Sequence, residues 1–292
     1  MMATVAQRFE SMLSKITPTQ SDIDTAIKTH TYMREQLQKQ EWIKQTFLTG
    51  SYKRRTAINP LNDVDFFCEV DPRWARDKTP AQIQREVQRV LQAIYGSVHV
   101  HRQKHSLGVD LPQSIGYDVI PAVPDEDHYK IIHRESGDGI FILSNPDVVE
   151  RTKNDANAHG GPGGRMSQMI RLMKHWNTKN HKKVKSLHLE LLCYKACSTL
   201  ASCQNNRDAC WKLFEFLSAT VQDDCFVPGV PKTGVSAAQQ NNLRYSKTPA
   251  QLANFAGELG AAARKAKRAV ENERANPAEA HRIWQELFGV DY

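Results

Sequence analysis

A short part of the chain combines a tight turn, a basic segment and paired carboxylates. Gly50 and Ser51 follow an apolar stretch, and Asp63 and Asp65 stand two residues apart where the next apolar segment begins. A tight turn presents backbone N–H groups and a hydroxyl to phosphate oxygens. Neighbouring carboxylates repel each other unless a cation lies between them. The pattern therefore predicts metal-assisted chemistry on a phosphate group.

The paired aspartates are expected on one face of a β-strand. Residues 64–70 are rich in β-branched and aromatic side chains and are followed closely by Pro72, which is typical of a strand. Side chains two positions apart on a strand point the same way, so Asp63 and Asp65 project together. A second apolar run, residues 115–123, is also predicted to be a strand and carries Asp118. These three aspartates are the candidate catalytic residues.

Three carboxylates suit magnesium, because this ion prefers hard oxygen ligands and completes its shell with substrate phosphates. We expect two Mg²⁺ ions, for which Mn²⁺ can substitute, one activating an incoming hydroxyl and the other holding the leaving pyrophosphate. Gly50 and Ser51 are the candidate phosphate-binding residues. Arg54 and Thr56 offer further hydrogen-bond donors to the same phosphates.

These residues resemble the nucleotidyltransferase superfamily that includes DNA polymerase beta, with its glycine–serine turn, paired acidic strand and third carboxylate. Residues 169–176 and 185–190 resemble paired helical signatures of the oligoadenylate synthetase and cyclic GMP-AMP synthase group. Residues 283–289 resemble the close of the bacterial relatives, the CD-NTases, which make cyclic oligonucleotide signals in antiphage defence. The resemblance thus extends over most of the chain.

The resemblance implies a role for each matching residue. It assigns the metal ions to three carboxylates: Asp63, Asp65 and Asp118. It implies that Gly50 and Ser51 hold the donor triphosphate, and that Lys174 and Ser186 contact the donor phosphates from the helical half. Relatives often have an aromatic residue after that serine, whereas Leu187 stands here, so the base preference stays open.

The implied fold is α+β: a polymerase beta-like nucleotidyltransferase core, with a mixed sheet and helices, packed on a C-terminal helical lobe. We expect residues 1–158 to form the catalytic core with an N-terminal spine helix. Residues 159–292 are expected to form the helical lobe that completes the nucleotide-binding cleft. The glycine-rich residues 160–164 lack the ending of a P-loop and are predicted to be a hinge.

Two helices are predicted to have identifiable starts. Thr17 or Ser21 is expected to cap the longer N-terminal helix, which would run to about Trp42. A further helix is expected to begin at Thr79 and Pro80, because the apolar residues that follow recur at helical spacing.

The composition is that of a folded, soluble protein. Of 292 residues, 40% are hydrophobic and 24% are charged. The net charge of +7 favours anionic partners, which includes nucleotides and nucleic acid alike. No stretch has the length of apolar sequence that a membrane span requires, and the first residues lack a signal-peptide pattern. We therefore expect a cytoplasmic protein.

The chain has clusters of cysteine and histidine residues, but their spacing does not favour a zinc site. The chain has six cysteines without Cys-x-x-Cys spacing, at positions 68, 193, 197, 203, 210 and 225. Cys193 and Cys197 are one helical turn apart in an apolar run, so buried thiols are preferred over a zinc site in this region. His99 and His101 are interpreted as solvated strand histidines rather than zinc ligands.

Together these patterns predict a metal-dependent enzyme that joins nucleoside triphosphates, as donor and acceptor, into a cyclic di- or trinucleotide second messenger with release of pyrophosphate. Cyclisation and an antiphage role rest on the resemblance alone. The same chemistry also permits a linear oligonucleotide or modification of RNA, a protein or a small molecule, and the fold permits a non-catalytic nucleic-acid-binding sensor. We expect a monomer that requires neither nucleic acid nor a membrane. A regulatory protein partner is compatible with this expectation.

Overall fold

The computed structural model describes six stretches of the chain: residues 3–112, 115–134, 136–159, 165–203, 205–230 and 242–292. The predicted hinge at residues 160–164 lies outside them. The chain divides into two compact units. A sheet unit comprises Pro18–Val148 and Gly229–Pro231, and a helical unit comprises Met1–Thr17, Val149–Pro228 and Lys232–Tyr292.

The secondary structure of the described residues alternates strands and helices in the first half and is helical in the second. The strands are β1 (Ile43–Leu48), β2 (Asp63–Val70), β3 (Val100–Arg102), β4 (Leu107–Val109), β5 (Gly116–Asp125), β6 (His128–His133) and β7 (Ile140–Ser144). The α-helices are α1 (Val5–Ile16), α2 (Gln20–Leu37), α3 (Gly50–Lys53), α4 (Pro72–Ala75), α5 (Pro80–Tyr95), α6 (Pro146–His159), α7 (Met166–Lys179), α8 (Ser186–Lys195), α9 (Cys197–Leu200), α10 (Asn206–Thr220), α11 (Pro249–Asn272) and α12 (Pro277–Phe288).

The seven described strands form one mixed sheet in the order β1-β2-β5-β4-β3, with β6 paired to β5 and β7 paired to β6. Strands β2 and β5 are parallel, whereas β1–β2, β4–β5 and the remaining pairs are antiparallel. The predicted α+β class with a mixed sheet is therefore confirmed. Both strands that were expected to carry the aspartates are present.

One face of the sheet is an apolar core. Val64, Phe66 and Cys68, at every second position of β2, are fully buried there, and Val119 of β5 joins the same cluster. The buried Tyr117 hydroxyl donates a hydrogen bond to the Ala26 carbonyl, at 3.1 Å, and so ties α2 to the sheet. Because side chains alternate along a strand, this burial directs the aspartates of β2 to the other face.

Two of the predicted helix starts can be compared with the structure. Helix α5 begins as expected, with Thr79 as the N-cap of a capping box. For α2, neither predicted cap is correct: Thr19 caps the helix, because Asp22 three residues later returns a hydrogen bond to its backbone. The helix ends at Leu37 rather than near Trp42, since turns at residues 38–42 lead directly into β1.

The helical unit contains a continuous apolar core that includes α1. Phe9 is buried and packs edge-on against Trp284, with ring centroids 4.8 Å apart, and also contacts Phe288 and Tyr292. Residues 1–17 and 149–158 therefore lie with the helical unit, whereas the expectation from sequence grouped them with the catalytic core. The contacts of Phe9 explain this difference for α1, and Val149 and Ala156 of α6 are buried in the same core.

All six cysteines are free thiols. Cys193 and Cys210 are fully buried in the core of the helical unit, and burial raises the pKa of both thiols. They pack as small apolar side chains. Within the described ranges, no helix combines the length and apolarity that crossing a membrane requires.

The contribution of α1 can be measured with one substitution. Phe9→Ala should lower the free energy of unfolding by about 3–5 kcal/mol, because it removes a buried ring and leaves a cavity. Glu10→Ala, at the neighbouring exposed position, should change it by less than about 0.5 kcal/mol. Urea denaturation of both variants makes the comparison. Equal stabilities would show that α1 does not belong to this core.

Candidate active site

The turn after β1 is built around a close contact between a glycine and a carboxylate. Gly50 adopts a positive φ of 68°, and a Cβ placed on it would lie only 1.6 Å from Oδ2 of Asp65. Any side chain at this position would therefore displace the Asp65 carboxylate, and its backbone conformation is one that favours glycine. The backbone N–H of Thr49 also donates to the Asp65 carbonyl, at 3.0 Å. The turn and β2 thus form one local unit.

Residues after the turn hold it in place. The N–H groups of Thr56 and Ala57 both donate to the Ser51 carbonyl, at 2.8 and 3.1 Å, and Arg54 N–H donates to the Gly50 carbonyl at 3.2 Å. The side chains of Arg54 and Thr56 are buried. Their position fits a role in bracing the turn, and a direct phosphate contact by either side chain remains a prediction.

The strand register brings the aspartates together. Asp65 of β2 lies directly opposite Asp118 of β5 in the parallel pair, and Asp63 lies opposite Gly116. Residues in register on neighbouring strands project on the same face, so the three predicted carboxylates share one face of the sheet. All of them belong to the sheet unit.

The environment of Asp118 disfavours its ionised form. Burial raises the pKa of the Asp118 carboxyl, and the nearby charge of Asp63 raises it further. A hydrogen bond from Gln103 and the proximity of His101 act in the opposite direction but do not cancel the rise. A cation bound between close carboxylates would relieve the repulsion between them.

The chemistry of the carboxylates fits a hard divalent cation. Their six oxygen atoms are hard ligands of the type that Mg²⁺ prefers. Magnesium also commonly keeps coordination positions for substrate phosphates and water. In the part of the chain that the structure describes, no group of three or more His, Cys, Asp or Glu side chains is arranged to hold a metal ion. Metal binding by the three aspartates is therefore a prediction, and in this structure the Asp65 carboxylate rests against Gly50.

The two predicted contacts from the helical unit lie in different environments. Ser186 is exposed at the first position of α8, and no side chain caps the start of that helix. Lys174 of α7 is buried, and its amine donates to Oε2 of Glu190 at 2.8 Å. The hydroxyl of Tyr194 donates to the other Glu190 oxygen. Phosphate binding by Lys174 and Ser186 remains a prediction.

Residues on β3 next to the aspartates were not anticipated from sequence as part of the site. His101 is half exposed, and its Nδ1 lies 3.2 Å from Oδ2 of Asp110. The signal was the two-residue spacing of His101 and Gln103 at the end of β3, and both side chains lie over Gly108. His99 lies in a 3₁₀ helix, Ser97–His99, so its assignment to a strand was wrong.

Comparison with known proteins agrees with this geometry. Residues 2–157, more than half of the chain, match the model of the Second Messenger Oligonucleotide or Dinucleotide Synthetase domain. The chain belongs to this family. It is thus a CD-NTase, and CD-NTases are nucleotidyltransferases. The family match covers the Gly50 turn and all three aspartates.

Individual relatives support the fold over the full length. A cyclic AMP-AMP-AMP synthase from Acinetobacter sp. is 26% identical over 317 residues, which cover 98% of this chain and 84% of that protein. Escherichia coli MS115-1 CdnC in complex with HORMA-deltaN superimposes with a TM-score of 0.75 at 17% identity, covering 99% of this chain and 98% of that one. CdnC with ATP gives a TM-score of 0.75 at 18% identity, covering 98% of both chains.

The contact between Gly50 and Asp65 can be tested with a pair of glycine variants. Gly50→Ala should reduce the nucleotidyl transfer of this CD-NTase by about 100-fold or more, because the methyl group displaces Asp65. Gly257→Ala is the matched control: no atom lies within 4 Å of the added Cβ, and Gly257 is exposed in α11. Pyrophosphate release should be unchanged in the control. Full activity in Gly50→Ala would contradict the arrangement.

The unfavourable environment of the ionised Asp118 carboxyl predicts that a substitution at this position changes the melting temperature, and that the change depends on pH. The metal-free Asp118→Asn variant should melt about 1–3 °C above the wild type at pH 7.5, because the amide removes an unfavourable buried charge. The gain should disappear below about pH 4, where the wild-type carboxyl is protonated in folded and unfolded chains. Differential scanning calorimetry of both proteins, with the exposed Asp127→Asn as control, makes the measurement. A lower melting temperature at pH 7.5 would refute the prediction.

Proposed function

We propose that this CD-NTase joins nucleoside triphosphates into a cyclic di- or trinucleotide second messenger, with release of pyrophosphate and with divalent metal ions as cofactors. The observation that supports this most strongly is the register of β2 and β5, which sets Asp118 opposite Asp65 on the face that also carries Asp63. The Gly50 turn adjoins the same carboxylates. A phosphate-binding turn beside a carboxylate cluster is what transfer of a nucleotidyl group requires.

In the proposed reaction, the turn at Gly50 and Ser51 binds the triphosphate of the donor nucleotide. Asp63, Asp65 and Asp118 would hold two Mg²⁺ ions, which when bound supply charge stabilisation at the phosphate oxygens. The ribose hydroxyl of the acceptor attacks the α-phosphorus, a new P–O bond forms, and the bond to the β-phosphate oxygen breaks. Asp118 lies on the same face, where its carboxylate would accept the proton that the hydroxyl loses.

A second attack within the linear product would close the ring. The Acinetobacter relative, a cyclic AMP-AMP-AMP synthase, supports a trinucleotide and adenine as a base. The complex of CdnC with HORMA-deltaN supports a regulatory protein partner for this chain as well. We place the enzyme in the cytoplasm, where nucleoside triphosphates are made and used, and in antiphage signalling as the family resemblance suggests.

The experiment combines product analysis with two substitutions. The wild type, incubated with four labelled nucleoside triphosphates and Mg²⁺ or Mn²⁺, should release pyrophosphate and form a product that resists phosphatase, identified by its mass. Asp63→Ala and Asp65→Ala should each lower pyrophosphate release by about 10³-fold or more, because each removes a carboxylate needed at the transition state. Asp127→Ala, an exposed aspartate of the same unit, should have wild-type activity.

Each alternative gives a distinct result. A product that phosphatase degrades would indicate a linear oligonucleotide and overturn cyclisation, while leaving nucleotidyl transfer intact. Labelling of added RNA or protein would indicate a different acceptor. Turnover that survives in Asp63→Ala or Asp65→Ala would refute the assignment of these residues.

A further inference from the structure

Asp118 lies in a row of residues that crosses the sheet. In the antiparallel pairs, Asp118 of β5 is opposite Gly108 of β4, and Gly108 is opposite His101 of β3. Directly opposite residues project on the same face, so His101 and Asp118 share the face that carries the site. A Cβ built on Gly108 would lie 2.3 Å from Nε2 of His101. The imidazole therefore occupies the space that the missing side chain leaves.

Gln103 links this histidine to the aspartate. The same Cβ on Gly108 would lie 2.8 Å from Nε2 of Gln103, which itself is 3.4 Å from Nε2 of His101. Because Gly108 is directly opposite Asp118, the Gln103 amide lies beside the Asp118 carboxyl, and its proximity acts to lower the pKa of that carboxyl. The hydroxyl of Ser106 donates to Oε1 of Gln103 at 2.7 Å. With its oxygen engaged by Ser106, the amide directs its N–H groups toward His101 and Asp118.

The histidine completes a directional chain of hydrogen bonds. Nδ1 of His101 faces Oδ2 of Asp110, at 3.2 Å, so the ring proton belongs on Nδ1. Nε2 is then free to accept from Gln103. Gln103 is thus held at both ends, by Ser106 on its oxygen and by His101 on its nitrogen.

We propose that Gln103 is a positioning residue, which His101 and Ser106 hold over Gly108 so that its amide fixes the orientation of the Asp118 carboxylate. The inference rests on the proposed function, since it concerns the carboxylate that would bind the metal and face the attacking hydroxyl. Partners that orient a ligand typically affect metal affinity and activity together. Gly108 is required because any larger residue would occupy the place of the amide and the imidazole.

Substitutions at Gln103 and Gly108, with Arg102 as the control position, provide the test. Gln103→Ala and Gly108→Ala should each weaken Mn²⁺ binding and lower kcat by about 10–100-fold. In Gly108→Ala the added methyl group meets only the tips of two side chains, so the fold should persist. Arg102→Ala is the control: this neighbouring residue projects to the opposite face, where its guanidinium donates to Gln88, and both readouts should stay at wild-type values.

Mn²⁺ binding is measured on the full chain by electron paramagnetic resonance, without nucleotide, so the result does not depend on turnover. The double variant should be no worse than the more affected single variant, because both act through the same amide. Wild-type Mn²⁺ affinity and kcat in Gln103→Ala, in a chain that still unfolds cooperatively, would overturn the inference while leaving the proposed function intact. A wild type that binds no Mn²⁺ would also overturn the inference, whereas a wild type that releases no pyrophosphate would overturn the proposed function. If Gly108→Ala fails to fold, Gln103→Ala alone decides, since its side chain is exposed.

Discussion

The contact between the Asp65 carboxylate and Gly50 is the constraint on which the site depends. Because Oδ2 of Asp65 lies where a side chain at residue 50 would begin, the turn can hold only glycine there. The same contact joins the turn at Gly50 and Ser51 to β2, and β2 is joined to β5 in a register that sets Asp65 opposite Asp118. One close approach therefore links the proposed triphosphate contact to all three carboxylates.

The site is assembled at a cost in local stability that the surrounding core offsets. Asp118 is partly buried close to Asp63, and both effects raise the pKa of its carboxyl. On the opposite face of the same strands, residues such as Val64, Phe66 and Val119 are completely buried. Apolar burial of this kind contributes about 1.5–3 kcal/mol per large side chain. The sheet can thus keep like charges together on one face because the other face is a well-packed core.

Local patterns in the sequence predicted the parts of the site, whereas long-range pairing decided their arrangement. The spacing of Asp63 and Asp65 and the apolar strands around them follow from residues that are neighbours in sequence. The alignment of Asp118 with Asp65 depends on the register of two strands that are distant in sequence, which no local pattern encodes. The contacts of Lys174 with Glu190 and of Phe9 with Trp284 also join residues that are distant in sequence, so local patterns could not predict them. The cap of α2 was misjudged because several polar residues competed for it within a few positions.

We propose that Asp63, Asp65 and Asp118 hold the divalent ions that act on the donor triphosphate. The most direct measurement is anomalous diffraction from crystals of the wild-type chain grown with Mn²⁺ and a non-hydrolysable nucleoside triphosphate. We expect anomalous peaks at these three carboxylates, in contact with the phosphates, with the triphosphate lying on the turn at Gly50 and Ser51. Manganese bound elsewhere on the chain, with no peak at the aspartates, would contradict it.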